Sequence, residues 1–166
     1  DATYEIVKNK FMKNYGAYAA ELFENGYNCA QAVAVAFCDI TKMEPKTAAA
    51  MASSFGGGMG RMREVCGAVS GMFMVLGLAK GNSDACDKAN KTDIYKDVQA
   101  LADKFKEENG SIICRELLGN LKAASSTSPT PDKRCPEYYK TRPCLKFVLD
   151  AVEIMEEIIK EHSNGN

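Results

Sequence analysis

The stretch FGGGMGRMREVCGAVSG, residues 55–71, decides how the chain is read, because backbone freedom and a reactive atom coincide there and nowhere else. Gly56, Gly57, Gly58 and Gly60 precede Cys66, which opens an apolar run reaching Ala79. Glycine accepts positive φ and lets another group come close to the backbone, so the cluster reads as a tight loop feeding a helix. A thiol in that helix's first turn faces aligned N–H dipoles that favour its thiolate, which makes Cys66 the candidate reactive cysteine. The plainer alternative is a loop followed by a core cysteine, since free cysteines are among the most buried residues.

Working outward, the run after the loop carries Val69, Met72, Phe73, Met74, Val75, Leu76 and Leu78, and a helix apolar on nearly all sides is central in its domain. Gly67, Gly71 and Gly77 each weaken such a helix by up to about 1 kcal/mol relative to alanine, so close packing is expected at them. Met59, Met62, Met72 and Met74 read as gap-filling core residues rather than ligands. Before the loop, Glu44-Pro45 opens a short alanine-rich helix through Ala52. Further upstream, Val7, Phe11, Tyr15, Tyr18, Ala19 and Leu22 give the spacing of an amphipathic helix over residues 4–23, stopped by Gly26. Asn28 caps the next helix, with Cys29, Val33, Phe37 and Ile40 along its stripe. Cys38 lies nine residues beyond Cys29, about half a turn out of phase, so the two share no helix face.

Downstream, Asn82-Ser83-Asp84 supplies capping chemistry for a long charged helix ended by Asn109-Gly110, and Ser111 caps a brief helix bearing Cys114, Leu117 and Leu118. Cys86 sits among Asp84 and Asp87, whose charges oppose a thiolate, and reads as incidental. Residues 120–142 read as a mobile loop from their Ser, Thr and Pro content. Thr141, Arg142 and Pro143 start the last helix, whose buried stripe is Cys144, Val148, Ala151, Met155 and Ile158. The fold expected is all-α: one domain over residues 1–166, a bundle of about six helices around the central glycine-rich apolar one.

Composition narrows the function. With 21 Lys plus Arg against 22 Asp plus Glu, overall charge suggests neither nucleic acid nor an anionic membrane as partner. The apolar residues are interrupted too often for a membrane span, and no signal peptide is seen, so the expected location is the cytoplasm. The chain begins at Asp1 rather than Met, which leaves a removed targeting segment open. There are seven cysteines, an odd number that cannot all pair within one chain, and a chain of this size needs no disulfide scaffold. The single histidine, His162, stands at the end of the last helix, and no C-x-x-C-H or C-x-x-C run is present, so neither haem nor a thioredoxin-type mechanism is expected.

Position sorts the cysteines. Cys29, Cys66, Cys114 and Cys144 each fall at the start of a predicted helix and on its apolar side, whereas Cys38, Cys86 and Cys135 miss one or both conditions. Four helix N-termini would turn positive dipole ends toward four thiolates, the usual ligand set of iron–sulfur clusters and of closed structural zinc sites. Four unrelated core thiols near helix starts is the alternative on spacing alone.

The runs GYNCAQAV at 26–33, FGGGMGRMREVCGAVSG at 55–71, GSIICRELLG at 110–119 and CLKFVLDAVEIMEEII at 144–159 occur in the order of a known family's motifs. Across nearly the whole chain the sequence resembles the C_GCAxxG_C_C family of redox-active proteins, which is related to a domain of split-Soret cytochromes. The element Cys66, Gly67, Ala68, Gly71 carries most of the likeness, although here the cysteine comes first where the family's label writes glycine before it. The resemblance implies an all-helical cytoplasmic protein with four signature cysteines, mapping onto Cys29, Cys66, Cys114 and Cys144. Cys135-Pro136, nine residues ahead of Cys144, is the rival for fourth ligand.

The expected function is therefore an electron-transfer protein binding an iron–sulfur cluster through those four cysteines and serving an unidentified redox partner. Gly57 and Gly58 would donate backbone N–H groups to it, and Arg61 or Arg63 would offset its charge. A metal-free thiol enzyme or sensor with Cys66 as catalytic thiolate is the second reading, and a domain held by structural zinc the third. A central helix so apolar also predicts a homodimer with a two-fold interface. Light scattering at micromolar concentration should then give about twice the chain's 18.1 kDa, whereas the monomer mass means that the helix is merely the domain's own core.

Overall fold

The computed structural model describes residues 14–164, with side chains through residue 161. The beginning of the predicted first helix, with Val7 and Phe11, and the side chain of His162 lie outside the described residues. Asn14 has left helical geometry (φ −142°, ψ 80°), and its side chain accepts from the Ala17 amide, so α1 spans Tyr15–Glu24. The capping chemistry of asparagine thus breaks the continuous helix expected over residues 4–23.

Then follow α2 (Cys29–Ala36), α3 (Cys38–Thr41), α4 (Pro45–Ala52), a 3₁₀ turn (Ser53–Phe55), the glycine loop, α5 (Gly67–Lys80) and α6 (Lys88–Asn109). The chain closes with α7 (Cys114–Leu118), a second 3₁₀ turn (Lys122–Ser125), α8 (Pro136–Thr141) and α9 (Cys144–Asn164). The fold is all-α, as expected, and among the described residues six helices have eight residues or more. Among the described residues the β geometry is one isolated antiparallel bridge, Val65 to Ile113. None of their helices is long and apolar enough to cross a membrane.

α5 is the axis of the core. Gly67 to Met72, Val75 and Leu76 are buried on it; α2 packs along its length, α6 and α9 pack against it, and α1 packs on α2 and α9. The helices meet closely because α2 is built of alanine and valine and α5 offers glycine. A Cβ on Gly71 would stand 2.8 Å from Val33 Cβ and 3.0 Å from the Ala30 carbonyl. Gly77, by contrast, faces open space, so the close-packing reason holds for Gly67 and Gly71 but not there. Of the four methionines expected as core fillers, Met72 is fully buried, while Met62 is 57% exposed on the rim of the glycine loop.

Three local readings are corrected. The cap of α6 is Asp87, whose carboxylate accepts from the Asn90 amide; Asn82 and Asp84 instead hold the turn before it. Ser111 does not cap α7: its hydroxyl accepts from the Ile113 amide and donates to the Glu116 carboxylate. Residues 120–142 contain α8, with Pro136 in the tolerated first turn, and are tied to the body of the protein by arginines.

Two alanine substitutions separate packing from propensity. Gly71→Ala should lower stability, because overpacking of about 1–3 kcal/mol exceeds a propensity gain of up to about 1 kcal/mol. Gly77→Ala, with only the propensity gain, should raise it by about 0.5–1 kcal/mol in urea unfolding.

Candidate functional site

The glycine loop makes a site because its backbone turns the wrong way for most residues. Gly57, Gly58, Met59, Gly60, Arg61 and Arg63 all have positive φ between 60° and 74°. Three of these are not glycine, and such geometry persists only where surrounding bonds over-determine it. Here the amides of Arg61, Arg63 and Glu64 donate to the carbonyls of Gly56, Gly57 and Gly58. The chain then pairs with the segment before α7: Cys66 N–H donates to Ile112 O (2.8 Å), and Cys114 N–H donates to Glu64 O (2.6 Å). Cys66 and Cys114 therefore follow the two halves of the Val65–Ile113 bridge directly.

Each signature cysteine stands at a helix start. Cys29, Cys114 and Cys144 are the first residues of α2, α7 and α9, and Cys66 is the cap residue of α5. Asn28 sets the first of these through a capping box with Gln31, and its amide also donates to Ser53 O (3.0 Å) beside the glycine loop. All four thiols line one cavity of about 290 Å³. Glycine makes the closeness workable: a Cβ on Gly67 would meet Cys29 Sγ at 2.7 Å, and one on Gly58 would meet Cys114 Cβ at 2.5 Å. Gly57 lines the cavity, whereas Gly58 is buried behind Cys114 and serves packing.

The other cysteines stand apart. Cys135 caps α8 outside the cavity lining, Cys86 is exposed, and Cys38 lies against the Ala34 carbonyl at the start of α3. None of the seven is in a disulfide. Among the described residues no three His, Cys, Asp or Glu side chains converge as a single metal ion requires. The four cysteines instead share the wall of one cavity with the glycine loop, the arginines and apolar side chains.

Burial decides their protonation. Cys66 is pushed well above the ordinary thiol range, first by desolvation and next by the neighbouring Cys29 side chain; the amides of Ala68 and Val69, which favour its charged form, are outweighed. The expectation that the helix start leaves Cys66 ionised therefore does not hold for the thiol as it stands. Cys144 is pushed up to about 12, by desolvation and then by Cys29, with Arg142 opposing. Cys114 is also raised, by burial, against a weak hydrogen bond from Arg63 Nη1 (3.9 Å).

Charged residues that sequence reasoning missed complete the wall. Asp132, from the segment read as a mobile loop, accepts from Arg61 Nη1 (3.0 Å) and from Arg142. Burial pushes its carboxyl up, but those two hydrogen bonds hold it below the usual carboxylate range. Arg61 Nε donates to Ser128 O (2.5 Å) and Arg63 Nε to Ser126 O (3.0 Å), so the strap is tied down along its length. Arg134 donates to the carbonyls of Phe23 and Tyr27 and lies 4.3 Å over the Phe23 ring. Arg61 and Arg63 are expected at the site from the glycine loop, and the adjacency of Arg142 to Pro143-Cys144 is the available signal for the third arginine of this wall.

Cys38, off the cavity, gives a pH test. Its pKa is pushed up to about 11 by burial and then by Asp39 and Glu44, so at pH 8 it is almost wholly protonated. Its alkylation should accelerate about tenfold per pH unit up to that value as its thiolate fraction grows, which peptide mapping would follow.

No curated protein and no solved structure matches the chain. The model of one family does, over residues 27–158, and that family is described as "putative redox-active protein (C_GCAxxG_C_C)". The match runs from the residue before the Asn28 cap through most of α9 and takes in all four cavity cysteines. By this match, the chain belongs to the C_GCAxxG_C_C family.

Proposed function

We propose that the cavity holds an iron–sulfur cluster on Cys29, Cys66, Cys114 and Cys144, and that the protein transfers electrons to or from a partner in the cytoplasm. The observation that carries this reading is that four cysteines from four helix starts line one cavity, of about 290 Å³. That space suits a multi-atom centre, whereas a zinc site needs its sulfurs drawn in to about 2.3 Å from one ion. When bound, a cluster supplies one-electron chemistry at a potential tuned by burial, charge and hydrogen bonds to sulfur.

The chain's own residues do the rest. Gly67 leaves room for Cys29 Sγ, and the amides of Ala68 and Val69 support the Cys66 thiolate. Arg63 and Arg142 stabilise negative charge on Cys114 and Cys144. Without a cationic partner these thiols hold their protons, so loading releases protons and occupancy should fall as pH is lowered. The same raised pKa values weigh against the metal-free alternative in which Cys66 is a low-pKa nucleophile. No residue pattern supports haem.

Anaerobic reconstitution tests this. The expected product is brown and contains iron with acid-labile sulfide; Cys29→Ser, Cys66→Ser, Cys114→Ser and Cys144→Ser each lose most of it, and Cys135→Ser keeps it. Stoichiometric zinc without sulfide, or a colourless metal-free protein with thiol reactivity at Cys66, would overturn the reading.

A further inference from the structure

Three arginines converge where one acid serves them all. A single oxygen of Asp132 accepts from Arg61 Nη1 at 3.0 Å and from Arg142 Nη2, and stands 4.0 Å from Arg63 Nη2. The cations are the buried part of this arrangement: their side chains are 14%, 11% and 3% exposed, respectively, while Asp132 is 37% exposed on its strap. Arg63 Nη2 is buried without a hydrogen-bond partner. Three guanidinium groups against one carboxylate leave a buried excess of positive charge, which is costly unless it meets an anion. Arg134 does not share this role, being committed to backbone carbonyls and an aromatic stack.

The thiols account for only part of the excess. Arg63 turns Nη1 to Cys114 but its other terminal nitrogen toward Asp132, and Arg61 donates only to the strap. What the three groups face together is an oxyanion, presently the chain's own carboxylate, at the edge of the cysteine cavity. Planar guanidinium groups match the oxygens of carboxylate, phosphate and sulfur oxyanions.

We propose that Arg61, Arg63 and Arg142 form a binding site for a small free oxyanion beside the cysteine cavity, with Asp132 as the internal occupant that the ligand displaces. The site lies where an oxyanion substrate would be in reach of the thiol-lined centre, and displacement of Asp132 loosens the strap over residues 126–134. The binding claim does not depend on what the four thiols hold, and metal-free protein tests it separately from the cluster reading.

The probes are inorganic sulfate and phosphate, titrated calorimetrically into reduced, metal-free protein in low-salt buffer. Wild-type protein is expected to bind with a Kd of about 1 mM or tighter. Asp132→Asn, which removes the competing charge, should bind about tenfold tighter, and Arg61→Gln should lose most of the affinity. No binding to folded Asp132→Asn, or binding no tighter than wild type, overturns the proposal and leaves the arginines as anchors of the strap. Should Asp132→Asn fail to fold, trypsin cleavage of wild-type protein after exposed Lys133 decides: acceleration by saturating sulfate supports displacement, and an unchanged rate overturns it.

Discussion

The gathering of four thiols, two of them buried and two half-buried, in the wall of one cavity is the constraint on which the rest of this structure depends. An ionised sulfur removed from water is costly, and four together repel one another as well. The fold responds by beginning a helix at every one of them, so that backbone amides and the positive ends of helix dipoles face inward. Even so, desolvation wins: Cys66, Cys114 and Cys144 are all raised. A site that keeps Cys66, Cys114 and Cys144 protonated until a cation arrives is suited to binding metal, and less suited to nucleophilic attack.

Geometry and charge share the glycine loop. Its run of left-handed residues brings Gly58 against Cys114 and aims Arg61 and Arg63 at the strap. The two-residue pairing of Val65 with Ile113 holds α5 and α7 in register, so the positions of Cys66 and Cys114 are set by backbone hydrogen bonds rather than by side-chain packing alone. The closed wall made by Arg61, Arg63, Arg142 and Asp132 then gives the cavity a positive rim.

Much of this is legible in the sequence where the signal is local. The Asn28 cap, Pro45 at the head of α4, the Gly110 stop and the central place of α5 follow from side-chain chemistry within a few residues. The same local logic picks out Cys29, Cys66, Cys114 and Cys144, which line one cavity, but helix position alone does not separate them, since Cys38 and Cys135 also stand at helix starts away from that cavity. It fails where the partner is distant. Asp132 lies 71 positions from Arg61 in sequence, and nothing in the composition of residues 120–142 announces that arginines will pin them. Helix α8 is hidden for the same reason, since its tyrosines order it by packing against Phe23 and beneath Arg134. The Cys66 pKa is misjudged because the helix dipole is visible in sequence and the depth of burial is not.

A crystal structure of the anaerobically reconstituted protein, recorded at the iron absorption edge, measures the central claim most directly. The account predicts anomalous scattering inside the cavity, bounded by Cys29, Cys66, Cys114 and Cys144, with Cys135 outside. Iron ligated by Cys135 in place of Cys144, or bound elsewhere while the four thiols surround an iron-free cavity, would contradict it.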